Sequence, residues 1–173
     1  NYIKKNRIVM PSEYGRFDNS MTSIFANVDD DPEMELVFTN SIGRLFIYEY
    51  KNGEFVKQFE SLQAISNSSQ HLCVADIDND GISEFLILNA GVQKAYNDKG
   101  GKELVWTAQL WDYQNKNFKV IWEELFTGVK LGVVNSSSNS YKNGVSCGNL
   151  DGLPGDEIII STFPDLYVFK YDN

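Results

Sequence analysis

The amino-acid sequence predicts an all-β repeat protein. β-Branched and aromatic residues alternate with polar ones at a period of two, and turn-forming residues interrupt them at short intervals. A unit made of a strand, an acidic turn and a second, apolar strand occurs three times. Because a period of two is the spacing of side chains on one face of a strand, these observations favour sheets over helices.

The three copies of this unit cover residues 24–38, 72–88 and 145–160. Their equivalent aspartates, Asp29, Asp78 and Asp151, are 49 and then 73 residues apart. The second interval is longer because residues 91–103, with an Asn-Asp-Lys-Gly-Gly core, and residues 128–144, rich in Ser and Asn, are expected to be added surface loops.

Two further strands are expected after each copy. In the first unit, residues 44–50 and 55–59 flank an Asn52-Gly53 turn, and Asn-Gly is the strongest short hairpin signal. In the second unit, residues 104–113 and 118–122 flank a turn at 114–117; in the third, residues 166–171 begin the pattern and stop. Four strands per unit are typical of a β-propeller blade.

We therefore predict one propeller-like domain over residues 1–173, with about three four-stranded blades at about 23–66, 70–126 and 144–173. Residues 7–10, within 1–22, are expected to add a strand to an adjacent blade or to complete the third, and residues 60–66 to form a short helical turn. Propellers have about four to eight blades, so we expect part of a larger propeller or an oligomer.

Composition excludes several classes of partner. Acidic residues outnumber basic ones by 24 to 15, and the formal net charge of −9 repels nucleic acid. The sequence contains no run of about 18 apolar residues, so membrane insertion is not expected. Cys73 and Cys147 lack the spacing of a zinc or redox site and the density of a disulfide scaffold, so we expect buried free thiols.

The acidic turn of the second unit has the ligand spacing of a calcium site. Oxygen atoms fall at alternate loop positions, followed by a glutamate at position 9, and Gly81 stands at position 6. The expected ligands are the side chains of Asp76, Asp78, Asp80 and Glu84 and the backbone carbonyl of Ile82. Calcium takes about 6–8 such oxygens, and a cation would offset the repulsion among these carboxylates.

The other two turns match this pattern less well. The first offers Asn27, Asp29, Asp31 and Glu35 as ligands of a weaker metal site, because Pro32 replaces the glycine and excludes a left-handed conformation. The third contains Asn149, Asp151 and Glu157. Leu153 stands where a ligand oxygen is needed, so we expect this loop to bind no metal and to be held by hydrogen bonds alone.

The loop of residues 76–84, flanked by apolar strands, resembles the FG-GAP or VCBS repeats of integrin α-subunit propellers. This resemblance extends over all three units and implies a blade fold and bound calcium, with adhesion or ligand binding as a frequent role. It also implies an extracellular, cell-surface or periplasmic location.

The residues available for catalysis favour a protein that is not an enzyme. His71 is the only histidine, and Glu123 and Glu124, as neighbours on a strand, point to opposite faces. We therefore expect a calcium-binding module for protein or glycan binding or scaffolding. The alternatives are a sugar-binding lectin of the same fold, which a groove-lining Trp111 or Trp122 would favour, or an accessory domain of a secreted carbohydrate-active enzyme.

Overall fold

The computed structural model describes residues 8, 22–40, 44–61, 70–96, 102–129, 144–162 and 165–172. These residues form eleven β-strands in three antiparallel sheets, and none of them is helical. The all-β prediction is confirmed. No helix that could cross a membrane is found among them.

The first sheet is a meander of four strands in the order β1-β2-β3-β4. Its strands are β1 (Thr22–Ala26), β2 (Glu35–Thr39), β3 (Leu45–Lys51) and β4 (Glu54–Glu60). Asn52 and Gly53 connect β3 to β4 with φ angles of 53° and 88°. Positive φ at both central residues is the geometry of a type I′ hairpin, so the predicted Asn-Gly turn is confirmed.

The second sheet repeats this order with longer strands. Its strands are β5 (Gln70–Ala75), β6 (Glu84–Tyr96), β7 (Lys102–Gln114) and β8 (Asn117–Val129). The expectation of a surface loop at 91–103 was wrong at both ends, because the β6–β7 ladder continues to the pair Tyr96 and Lys102. The centre of that loop, most of residues 128–144 and residues 62–66 of the proposed helical turn lie outside the described residues, and Glu60, where that turn was expected to begin, belongs to β4.

The third sheet has three strands among the described residues, in the order β9-β10-β11. They are β9 (Gly144–Gly148), β10 (Glu157–Thr162) and β11 (Asp165–Phe169). The strand proposed at residues 7–10 lies outside the described part of the chain, except for Ile8, which belongs to no strand.

The three sheets pack as successive blades, with the first strands β1, β5 and β9 side by side. Side chains of the second sheet alternate between its two neighbours. Phe85 and Ile87 join a core with the first sheet, whereas Leu86 and Leu88 join a core with the third. The second sheet is therefore covered on both faces, which explains why β6 begins as a continuous apolar run.

Hydrogen bonds between acidic loops connect neighbouring sheets. The backbone carbonyl of Asn27 accepts the Ser83 N–H at 3.1 Å, and that of Asp76 accepts the Asp156 N–H at 2.9 Å. Each donor residue directly precedes the glutamate that ends its loop. The same type of hydrogen bond therefore joins the first sheet to the second and the second sheet to the third.

A disulfide joins Cys73 on β5 to Cys147 on β9, with the Cα atoms 5.9 Å apart. The expectation of free thiols was therefore wrong. The two cysteines are 74 residues apart in sequence, and only the packing of β5 beside β9 brings them within bonding distance.

The two outer sheets expose apolar side chains. Phe25 and Tyr50 of the first sheet are 55% and 43% exposed, and Leu166 and Val168 of the third are 64% and 54% exposed. An exposed apolar sheet face is typical of a surface that another element covers.

Candidate metal centre

Each acidic loop connects the first strand of its sheet to the second and carries the same internal hydrogen bonds. We number its positions from 1 at Asn27, Asp76 and Asn149 to 9 at the glutamate. The aspartate at position 3 accepts the N–H of position 5 through Oδ1, at 3.0, 3.2 and 2.9 Å in the three loops. The glutamate accepts the N–H of position 2 through Oε2, at 2.9, 2.7 and 2.6 Å.

In the second loop, three of the predicted ligands lie together. Carboxylate oxygens of Asp76, Asp78 and Glu84 lie within 4.8 Å of one another. Asp80 is outside this group, and its Oδ1 accepts the Ile82 N–H at 2.8 Å. Gly81 has a φ of 92°, in the left-handed region that the sequence predicted for position 6. The arrangement is an open cluster of hard oxygen donors.

Burial and mutual repulsion disfavour the charged forms of Asp78 and Glu84 in the second loop. Glu84 is 3% exposed, and this burial raises its pKa to about 7, with repulsion from Asp78 and Asp112 acting in the same direction. Burial also raises the pKa of Asp78, and the charge of Asp80 adds to the effect. A bound cation would lower these pKa values by stabilising the charged forms.

The first loop brings together Asp29, Asp31 and Glu35, again with oxygens within 4.8 Å of one another. Glu35 is fully buried, and its Oε1 has no hydrogen-bond donor among the described residues. Burial raises the pKa of Glu35 to about 7 and also raises that of Asp29. The fourth predicted ligand, Asn27, uses its side-chain N–H to hold the Asp31 carbonyl at 2.7 Å.

As expected from Pro32, no residue of the first loop has a positive φ. A second acidic group shares Asp31 and adds Glu33 and Glu49. Lys51 reaches this group, with its Nζ 2.7 Å from Glu49 Oε1 and 3.9 Å from Asp31 Oδ2.

The third loop is neutralised by a side chain of the protein. Lys170 Nζ lies 2.8 Å from each carboxylate oxygen of Asp151 and 2.6 Å from Glu157 Oε1. This ammonium holds the pKa of both acids below their ordinary values. Asn149 donates its side-chain N–H to the Leu153 carbonyl. The expectation of hydrogen bonds alone was wrong, because an ion pair completes the loop.

Three residues near the loops were missed by the sequence analysis: Glu49, Asp112 and Lys170. Glu49 and Asp112 lie on the third strands of their sheets and Lys170 directly follows β11, all of them far along the chain from the turns. The pairing of the second strand with the third would have identified them, because Glu49 is directly opposite Glu35 in the β2–β3 register.

The other candidate residues have mainly structural surroundings. Trp111 is buried at 7% exposure, and its ring stacks on Phe85. Trp122 is half-buried and lines a cleft of about 340 Å³ between the second and third sheets, beside Phe169. His71 is half-buried in β5, and burial lowers its pKa. Trp111 therefore belongs to the core between the first and second sheets.

The chain repeats one antiparallel sheet, with an acidic loop between the first and second strands, and the sheets pack through their first strands. This arrangement defines a repeat protein of the propeller type. Comparison with protein families gives the particular repeat. Residues 27–87 match the model of the FG-GAP-like repeat, a stretch that contains both loops in which acidic groups meet. This part of the chain is thus similar to an FG-GAP-like repeat, the family that the acidic motif indicated. The sequence has no significant match among curated proteins.

Proposed function

We propose that the chain is a calcium-binding propeller module that binds a protein or a glycan and has no catalytic activity of its own. The observation that carries the metal assignment is Glu35 Oε1, a buried carboxylate oxygen with no donor among the described residues. Leaving such a group uncompensated is costly, and a cation would compensate it.

Calcium is the ion that the donor set favours. The groups in the first and second loops consist of carboxylates, without nitrogen or sulfur ligands. Calcium prefers hard oxygen ligands and tolerates irregular geometry, whereas zinc and copper favour imidazole or thiolate. The Asp76, Asp78 and Glu84 group is the expected tighter site, with Asp80 and the Ile82 carbonyl completing it on closure of the loop.

Thermal unfolding with and without calcium tests this proposal. Calcium at about 100 times its dissociation constant adds about 2.7 kcal/mol per site, or about 5–10 °C in Tm for a chain of this size. Asp78→Ala should remove most of this gain and change Tm little in chelator. Glu124→Gln removes an exposed charge of the second sheet and should keep the gain. Identical melting of the wild-type protein in calcium and in chelator would overturn the proposal.

A location outside the reducing cytosol is part of the proposal. The Cys73–Cys147 disulfide supports it, because such bonds persist mainly in oxidising compartments. An extracellular, cell-surface or periplasmic site also supplies the free calcium that a module of this kind requires. Mass spectrometry of the native protein under alkylating conditions, with both thiols unreactive, is the expected result.

We also propose that the exposed faces of the two outer sheets associate with further blades or with a second copy of the chain. Phe25 and Tyr50 on one side, and Leu166 and Val168 on the other, are placed where further blades would pack. Flanking blades or a second copy of the chain would cover them. Light scattering across protein concentration distinguishes a self-associating chain from a monomer.

Sugar binding is the second candidate, favoured by the position of Trp122. Its ring lines the cleft between the second and third sheets together with Tyr171 and Gln114, a mixture of aromatic and polar groups suited to a sugar. Quenching of tryptophan fluorescence by a glycan, lost in Trp122→Ala and kept in the first-loop variant Asp31→Ala, which lies outside the cleft, would support a lectin.

A further inference from the structure

One position, on the third strand of the first two sheets and directly after the third strand of the last, lies beside the glutamate that ends the acidic loop. In the first sheet it is Glu49, which pairs directly with Glu35. In the second sheet the pair Phe85 and Trp111 places Asp112 beside Glu84. In the third sheet the pair Ile158 and Phe169 places Lys170 beside Glu157. We call this the cross-strand position; it is acidic twice and basic once.

The equivalent glutamate oxygen, Oε1, has a donor in the third loop and none among the described residues in the first. Glu157 Oε1 lies 2.6 Å from the Lys170 ammonium, whereas Glu35 Oε1 is buried with no donor among the described residues. Oε2 accepts the same backbone N–H in both loops, so the difference is confined to Oε1. In the first loop Lys51 contacts Glu49 from the solvent side and leaves Glu35 Oε1 without a donor.

The ammonium of Lys170 also bridges to the loop itself. It contacts both oxygens of Asp151, the equivalent of Asp29 and Asp78 at position 3. Position 3 and position 9 are the two carboxylates that meet in the metal-type groups of the other loops. Lys170 Nζ therefore occupies the place, between these two acids, that a metal ion would take in the first and second loops.

We infer that the cross-strand residue determines which cation each loop uses. An acid at this position, Glu49 or Asp112, leaves the loop to a divalent metal ion, and Lys170 supplies an ammonium in place of the metal. This inference rests on the proposed calcium binding of the first two loops. It predicts that the third loop is independent of calcium because its cation is built into the chain.

Exchanging the cross-strand residues tests the inference, with calcium itself as the probe and isothermal titration of the full chain as the measurement. Lys170→Asp combined with Leu153→Asp gives the third loop the pattern of the first, with Asn at position 1 and acids at positions 3, 5 and 9 and at the cross-strand position, and we expect one additional calcium ion per chain. Leu153→Asp alone is the matched control, because it adds the oxygen at position 5 but keeps the ammonium. Leu153 is 57% exposed, so its replacement is tolerated. This variant should bind no additional ion.

Asp112→Lys is the reciprocal change and should remove one bound calcium ion per chain. This loss can be measured even if the third-loop variants fail to fold. A wild-type protein that binds no calcium overturns the proposed function, and this inference with it. Calcium binding by the wild type, with no additional ion in the double variant or with the full number retained in Asp112→Lys, overturns the inference alone.

Discussion

Raising the pH should destabilise the calcium-free protein because two buried glutamates must give up their protons. Burial raises the pKa of Glu35 and of Glu84 to about 7, compared with an ordinary value of 4.5. Between these two pH values the folded state binds more protons than the unfolded state, so the free energy of unfolding falls as the pH rises. At about 1.4 kcal/mol per pKa unit, each glutamate costs about 3 kcal/mol above pH 7.

Urea unfolding at a series of pH values from below 4.5 to above 7, in calcium-free buffer, measures this slope. Glu35→Gln and Glu84→Gln should each remove about half of it, since glutamine keeps an acceptor for the backbone N–H and carries no proton to lose. Glu124→Gln is the control and should leave the slope unchanged. Saturating calcium should abolish or reverse the slope, because the ion binds the deprotonated carboxylates.

The ion-paired acids of the third loop have the opposite effect on the free energy of unfolding, and they have it in a different pH range. Lys170 lowers the pKa values of Asp151 and Glu157, so their stabilisation is lost only as the pH falls below their ordinary values of 3.8 and 4.5. Their titration does not change the slope above pH 4.5. The lowered pKa of His71 opposes the slope below pH 6.5, but it is one group against two glutamates. A free energy of unfolding that stays flat or rises between pH 4.5 and 7 without calcium would refute the reasoning.

Two further predictions concern the joint between the second and third sheets. The Cys73→Ser and Cys147→Ser double variant should lose about 4 kcal/mol of unfolding free energy, the chain-entropy estimate for a loop of this length; reductant should lower the urea midpoint of the wild type alone. Gly155→Ala would place a Cβ 2.5 Å from the Ile77 carbonyl oxygen, whereas Gly152→Ala meets nothing within 4 Å, and both glycines have positive φ. Both variants should lose about 1 kcal/mol for the left-handed backbone, but Gly155→Ala should lose clearly more in the same titration, and equal losses would contradict the close approach.

Much of the fold could be predicted because its signals are local. The Asn52-Gly53 turn and the alternating strands around it depend on residues a few positions apart, and the structure has them where expected. The cysteine pairing could not be predicted in this way, since it depends on which inner strands become neighbours. The extended β6–β7 ladder was missed because Gly91, a residue type that usually ends a strand, lies at an irregularity inside the ladder.

The candidate site also contains residues that local sequence predicted and residues that it did not. Asp76, Asp78 and Glu84 were found from spacing, because one short loop brings them together. Asp112 and Lys170 were not found, although they set the charge beside the second and third loops. Their proximity depends on the register between the second and third strands, and the turn sequence contains no information about that register.

The hydrogen bonds from Ser83 to Asn27 and from Asp156 to Asp76 give the acidic loops a mechanical role. Each bond takes its acceptor from position 1 of one loop and its donor from position 8 of the next. The loops are thus the joints between blades as well as the candidate ion sites. An ion that changed the backbone of one loop would therefore act directly on the hydrogen bond that joins its sheet to the next.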